Sequence, residues 1–116
     1  MKIRKLEKDD ITQVLEFYGQ VVAQDENFEA AKVKFENDIV YAMEEDHMLL
    51  AFEDKKIVGF LWSQIVESRS GKTIDKVKMI LIHPERLGRG IAGQLMEEER
   101  EHAKNVGADV LNIETR

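Results

Sequence analysis

The sequence contains no cysteine. That absence removes disulfide frameworks, thiolate metal sites and thiol nucleophiles, and makes a reducing, cytoplasmic compartment the expectation. Proline occurs once in 116 residues, and repeats and low-complexity tracts are missing. Residues 1–116 are therefore expected to form a single domain around one core. Long apolar runs are also lacking. The longest, "IVGFLW", falls far short of the roughly 18 residues of a membrane span, and the opening "MKIRKLEKDD" has no apolar signal core. A soluble chain with no membrane contact is expected. Positive charge is in deficit, with 17 Lys and Arg against 23 Asp and Glu and a net charge of -6. No nucleic-acid partner is expected, because phosphate backbones are bound by clustered basic fields. An acidic surface suits a basic partner, such as an amine.

What is present is periodicity. "KIRKLE" alternates as a short strand does. From Asp9, the residues Ile11, Val14, Leu15, Tyr18 and Val22 recur at helical spacing, with Asp9 or Asp10 placed to cap the start. Phe28, Ala31, Phe35, Ile39 and Met43 repeat that period as a second helix. The period then changes: "MLLAF", "IVGFLWSQIV" and "TIDKVKMILI" are strand-like runs joined by "EDKK" and "ESRSGK", which predicts an antiparallel meander. Ile91, Ala92, Leu95, Met96, Ala103 and Val106 form the stripe of a third helix, Gly107 stops it, and "DVLNIET" is a fifth strand. A strand, helix, strand unit of this length is expected to be parallel and right-handed. The predicted class is α/β, a mixed and mostly antiparallel sheet in the order β-α-α-β-β-β-α-β.

Between the fourth strand and the third helix stands "HPERLGRG". A glycine-rich turn before a helix offers free amides and a positive dipole end to an anion, so a phosphate or pyrophosphate is the expected ligand. Three motifs compete for it. "GRGIAG" (Gly88, Gly90, Gly93) reads as G-x-G-x-x-G, with Glu114 21 positions beyond Gly93. That dinucleotide fingerprint, however, follows its strand directly and opens a large parallel sheet, for which too little chain follows. "SGKT" (Ser70 to Thr73) mimics the end of a P-loop, but Val66 stands where the loop requires glycine. The third reading takes in strand, His-Pro, glycines and helix together.

"ILIHPERLGRGIAGQLM" closely resembles the acetyl-CoA-binding motif of the GCN5-related N-acetyltransferases, in which a strand ending near His-Pro is followed by Q/R-x-x-G-x-G/A and a helix. "KIVGFLW" resembles that family's third strand, and the element order matches an acyl-CoA N-acyltransferase-like fold over almost the whole chain. The resemblance implies transfer of an acetyl group from acetyl-CoA to an amine acceptor, with no metal. It also implies that the amides of Leu87, Gly88, Arg89, Gly90, Ile91 and Ala92 cradle the CoA pyrophosphate, and that Ile80, Leu81 and Ile82 pair with the pantetheine arm like an added strand. Two features depart from the family. Leu87 stands at the motif's Gln/Arg position, leaving Arg86 and Arg89 to supply charge. The sequence also stops at Arg116, after the fifth strand, where the family continues through a further helix and strands that complete the acceptor pocket and carry a tyrosine able to protonate the departing thiolate. A non-catalytic acyl-CoA-binding module, or a fragment of a longer enzyme, is the alternative.

Direct transfer also needs a base, because an amine with a pKa near 10.4 is protonated at neutral pH. "LNIETR" resembles the "LEVR" strand end of members that acetylate protein N-termini, which places Glu114 on their catalytic glutamate. Asp75 is the second base candidate, and the amide of Ile80 or Leu81 is the expected donor to the carbonyl oxygen. Other residues read as structural. His83 is expected as an exposed loop imidazole. Glu99 and His102 form E-x-x-H, but no second pair accompanies them as a di-metal bundle requires, and "MEEEREHAK" reads as a solvated helix face. Trp62 and Phe60 read as core. Finally, the open edge of the fifth strand, with Val110, Leu111 and Ile113, calls for a cover. A twofold homodimer is expected to provide it and to offer Tyr18 or Tyr41 from the second copy as the thiolate acid.

Overall fold

The computed structural model describes residues 1–22 and 27–113. Its strands are β1 (Lys2–Lys5), β2 (His47–Glu53), β3 (Lys56–Glu67), β4 (Thr73–Ile82) and β5 (Val110–Ile113). Its helices are α1 (Ile11–Val21), α2 (Phe28–Ala42) and α3 (Ile91–Asn105), so the chain runs β-α-α-β-β-β-α-β. The sheet order is β1-β2-β3-β4-β5, with β5 parallel to β4 and the other pairs antiparallel. This is the mixed α/β sheet that the periodicity predicts. Thr73 opens β4 directly, so no helix follows "SGKT". No helix among the described residues is long and apolar enough to cross a membrane.

The near-continuous apolar runs of β2 and β3 follow from their central position, where helices cover both faces of the sheet. On one face α1 and α2 pack Val14, Phe17, Phe35 and Ile39 against Met48, Leu50, Phe60 and Trp62. On the other, α3 packs Ile91 and Leu95 against Leu49, Ala51, Leu61 and Val77. Ile39, Leu50, Phe60, Leu61 and Leu95 are inaccessible to solvent, and each such side chain contributes about 1.5–3 kcal/mol on burial. Asp10 begins α1 as expected, but its carboxylate does not cap the helix. It accepts two hydrogen bonds from the Arg4 guanidinium, at 2.7 and 2.8 Å, and one from the Glu7 amide at 2.8 Å, tying β1 to the start of α1.

Two irregularities shape the sheet along β4. Trp62 pairs with Met79 and Ser63 with Val77, so Lys78 is an extra residue bulged out of β4. β5 pairs only with Ile74 to Val77 of β4. From Met79 to Ile82, the second edge of β4 therefore has no strand partner among the described residues. Gly59 of β3 supplies the close approach that seats α3, because a Cβ there would lie 2.9 Å from Ile91 Cγ2 and 3.1 Å from Leu95 Cδ1.

Candidate functional site

β4 leads through a single 3-10 turn, Pro84–Arg86, into an exposed loop and then α3. Gly88 and Gly90 hold φ of 78° and 79°, the left-handed region that glycine enters without steric cost. The space before them is open, since a Cβ at either position would meet nothing within 4 Å. The amides of Gly88, Arg89 and Gly90 donate no hydrogen bond to the described residues, and the first amides of α3 are unpaired by helix geometry. A cluster of unused donors at the positive end of a helix dipole is what a phosphate requires. Of the residues expected at the cradle, Leu87, Gly88, Arg89, Gly90 and Ala92 are exposed, while the Ile91 side chain is buried on Gly59 and anchors the turn to the sheet. Arg86 is tied to Glu53, with Nε 3.0 Å from Oε2. Arg89 makes no ion pair with the described residues and stands exposed in the turn.

The expected pantetheine strand residues meet the turn at its base. Leu61 pairs with Ile80, Phe60 with Leu81 and Gly59 with Ile82 on one side of β4. The opposite backbone edge of Ile80 to Ile82 is the open one described above, so an extended amide-bearing chain can hydrogen-bond there as a sixth strand would. His83 differs from expectation: it is only 8% exposed, its Nδ1 accepts from the Glu85 amide at 3.1 Å, and it caps the 3-10 turn. A short side-chain acceptor before Pro-Glu is held inward by the turn it stabilises.

Beside the bulge, on the α2 face, lies a cleft of about 770 Å³ lined by Lys34, Asp38, Tyr41, Glu45, Trp62 and Lys78. Trp62 is largely buried as expected, and its indole Nε1 donates to Asp46 at 2.8 Å. Lys78 Nζ stands 4.7 Å from the centre of the Trp62 ring. Lys34 pairs with Asp38 at 2.7 Å. With that pair internally compensated, Glu45 and Asp46 outnumber Lys78. Tyr41 is 89% exposed, and Tyr18 stacks on Phe35 with centroids 3.9 Å apart.

The two base candidates fall in different places. Glu114 lies outside the described residues. Asp75 is fully buried on the α3 face of the sheet, where its carboxyl faces Glu99 and Ser63 and is closed to solvent. Burial, then the neighbouring Glu99, pushes its pKa up to about 8. Both causes favour the protonated carboxyl, and the buried Asp75 has no path to an arriving amine. Glu99 corrects a second expectation. The helix face read as solvated is exposed at Glu97, Glu98, Arg100 and Glu101, but Glu99 is fully buried. Burial pushes the Glu99 carboxyl up, yet the hydrogen bond to His47, with Asp75 and Ser63, outweighs it and holds the carboxyl below its ordinary value. His47 Nδ1 is 2.8 Å from Glu99 Oε1, and the His47 and His102 rings stack. Burial, then His47, lowers the pKa of His102. The signal for Glu99 was in the sequence, because Ile91, Leu95, Glu99 and Ala103 fall on one i+4 line. His47, 52 residues away in the chain, carried none.

The family model described as "Acetyltransferase (GNAT) family" matches residues 9–116, and the chain belongs to that family. The fold agrees with solved structures. A transcriptional regulator from Bacillus halodurans C-125 superposes with a TM-score of 0.77 at 21% identity, covering 99% of this chain and 81% of that one. A ribosomal-protein-alanine N-acetyltransferase from Brucella melitensis biovar Abortus 2308 does so with a TM-score of 0.77 at 18% identity, covering 100% and 81%. AAC(6')-Iy, in complex with the bisubstrate analogue CoA-S-monomethyl-acetylneamine, gives 0.74 at 19% identity, covering 99% and 79%. No curated protein matches the chain.

Proposed function

We propose that this member of the family is an N-acetyltransferase that binds acetyl-CoA along β4 and the glycine turn, and moves the acetyl group directly to an amine. The observation that carries the proposal is the continuity of two binding elements. The open backbone edge of Met79 to Ile82 leads, through the 3-10 turn Pro84–Arg86, to the unused amides of Gly88 to Gly90 and the first turn of α3. One suits the amides of a pantetheine arm and the other a pyrophosphate, in the order in which CoA carries them.

Acetyl-CoA supplies the activated thioester: the amine nitrogen bonds to the carbonyl carbon, the carbon–sulfur bond breaks, and the sulfur leaves with a proton. The chain's part is positioning and polarisation. The amide of Ile80 or Leu81, at the open edge just past the Lys78 bulge, donates toward the carbonyl oxygen as negative charge builds on it. The cleft beside Trp62 and Lys78 receives the acceptor, and its carboxylates Glu45 and Asp46 favour an approaching ammonium over an anion. Glu114, or a water it holds, takes the ammonium proton. A second copy of the chain covers the β5 edge, where Val110 and Ile113 are about half exposed, while the exposed Tyr41 already lines the acceptor cleft of its own chain.

The test is turnover with acetyl-CoA against a panel of primary amines, including peptides with free N-termini, lysine derivatives and aminoglycosides, followed as free thiol. The proposal expects thiol release above the hydrolysis background with at least one cationic amine. CoA binding with no release from any amine would leave a binding module in its place.

A further inference from the structure

His47 opens β2 on the sheet face that α3 covers, and α3 brings Glu99 and His102 against it, three residues apart and therefore on one side of the helix. Each of the three side chains offers one ligand atom, and these atoms lie within 4.8 Å of one another. The imidazoles stack with centroids 3.6 Å apart, and His47 Nδ1 is 2.8 Å from Glu99 Oε1. Glu99 is fully buried, and its Oε2 meets no donor among the described residues except the carboxyl of Asp75, which burial holds toward its protonated form. A carboxylate enclosed to this degree is costly unless it is fully paired or holds a cation.

We infer that His47, Glu99 and His102 bind one divalent transition-metal ion of the zinc class, fastening the start of β2 to the last turns of α3. Two imidazole nitrogens and one carboxylate oxygen form the donor set that zinc and its late first-row neighbours take, whereas magnesium and calcium prefer oxygen alone. Zinc–nitrogen bonds of about 2.0–2.1 Å in a tetrahedral site hold neighbouring ligand atoms roughly 3.4 Å apart. Ligand atoms now within 4.8 Å reach that spacing by side-chain torsion. The His47 side chain keeps 13% of its surface open, which gives an ion an entry path and leaves a fourth position for water. Asp75 contacts Glu99 from the sheet side, the place of an outer partner that orients a ligating carboxylate. The cluster lies on the sheet face opposite the amine cleft and at the other end of α3 from the glycine turn. Its role is to brace the fold, and it stands apart from acetyl transfer.

The experiment is isothermal titration of the whole chain with zinc chloride alone, and with magnesium chloride as control, alongside His47→Ala and His102→Ala. The expected result is one zinc per chain and no magnesium heat. His102→Ala should weaken binding by more than about a hundredfold, the upper end of what losing even an outer partner costs. Zinc should raise the melting temperature of the wild type but not of His102→Ala, whose partly exposed ring can be removed without opening the core; circular dichroism verifies that fold. If His47→Ala does not fold, X-ray absorption of the zinc-loaded wild type replaces it, and two imidazole nitrogens at about 2.0–2.1 Å are then expected. Failure of zinc to bind at stoichiometric concentration would overturn the inference. So would affinity unchanged in the histidine variants, or an all-oxygen shell, since either puts the ion on the acidic surface.

Discussion

Gly59 and Ile91 are packed so closely that a single methyl group has no room between them: a Cβ on Gly59 would stand 2.9 Å from Ile91 Cγ2. Ile91 is the first residue of α3, so this contact sets the height of the glycine turn above the sheet. Gly59→Ala should destabilise the fold by about 1–3 kcal/mol, the usual cost of overpacking a core, and should lift the start of α3. Chemical denaturation measures the first effect. The second should appear as weaker CoA binding in protein that is still fully folded. Unchanged stability would show that the α3 seat is looser than its geometry implies.

The turn itself is probed by Gly90→Asp. Its Cβ meets nothing within 4 Å, so the fold should survive, at a cost of about 1 kcal/mol for a side chain in the left-handed region. The new carboxylate faces the anion site, and CoA binding should fall below detection in calorimetry. Arg89→Ala should be milder, a loss of about 1.5–3 kcal/mol if a charge-assisted bond is removed, or roughly ten- to a hundredfold in Kd. Full affinity in Gly90→Asp would place the ligand elsewhere.

The Arg4–Asp10 pair predicts how the fold responds to acid. The hydrogen bonds from Arg4, reinforced by the Glu7 amide, hold the Asp10 carboxyl below its ordinary value of 3.8. A depressed carboxyl contributes stability that is present above the unfolded value and is lost as pH falls through the folded one. Asp10→Asn should therefore be less stable than wild type by about 1–2 kcal/mol at neutral pH. That gap should stay constant down to roughly pH 5 and close below about pH 4. Urea midpoints across this range give the answer, and a gap that widened in acid would contradict the sign.

Covering the β5 edge predicts a twofold dimer. Light scattering after size exclusion at micromolar concentration should give twice the 13.4 kDa of the chain. A clean monomer that still binds CoA would leave Val110 and Ile113 solvated and contradict the dimer.

Much of the fold was legible because it rests on local chemistry. The change of apolar period from helix to strand at "MLLAF", the glycines after "HPER" and the stop at Gly107 are each encoded within a few residues. Features set by distant pairing were not legible. The Lys78 bulge exists only in the register of β4 against β3, and nothing within "DKVKM" announces it. The sequence suggests an exposed loop imidazole at His83 because its acceptor role depends on the 3-10 turn it caps. Glu99 is hidden by its neighbours: four of the five residues from Glu97 to Glu101 are solvated, and the run conceals the one that falls on the line of Ile91, Leu95 and Ala103. His47 joins Glu99 across 52 residues, a juxtaposition that only the folded sheet creates.

The central claim is that the open edge of β4 and the glycine turn together hold acetyl-CoA, and titration calorimetry of the wild-type chain with acetyl-CoA tests it most directly, with NADH as the competing pyrophosphate ligand. The predicted result is saturable binding of one acetyl-CoA per chain, competed by CoA, with no heat from NADH. Binding of NADH without binding of acetyl-CoA would contradict the claim and return the glycines to the dinucleotide reading.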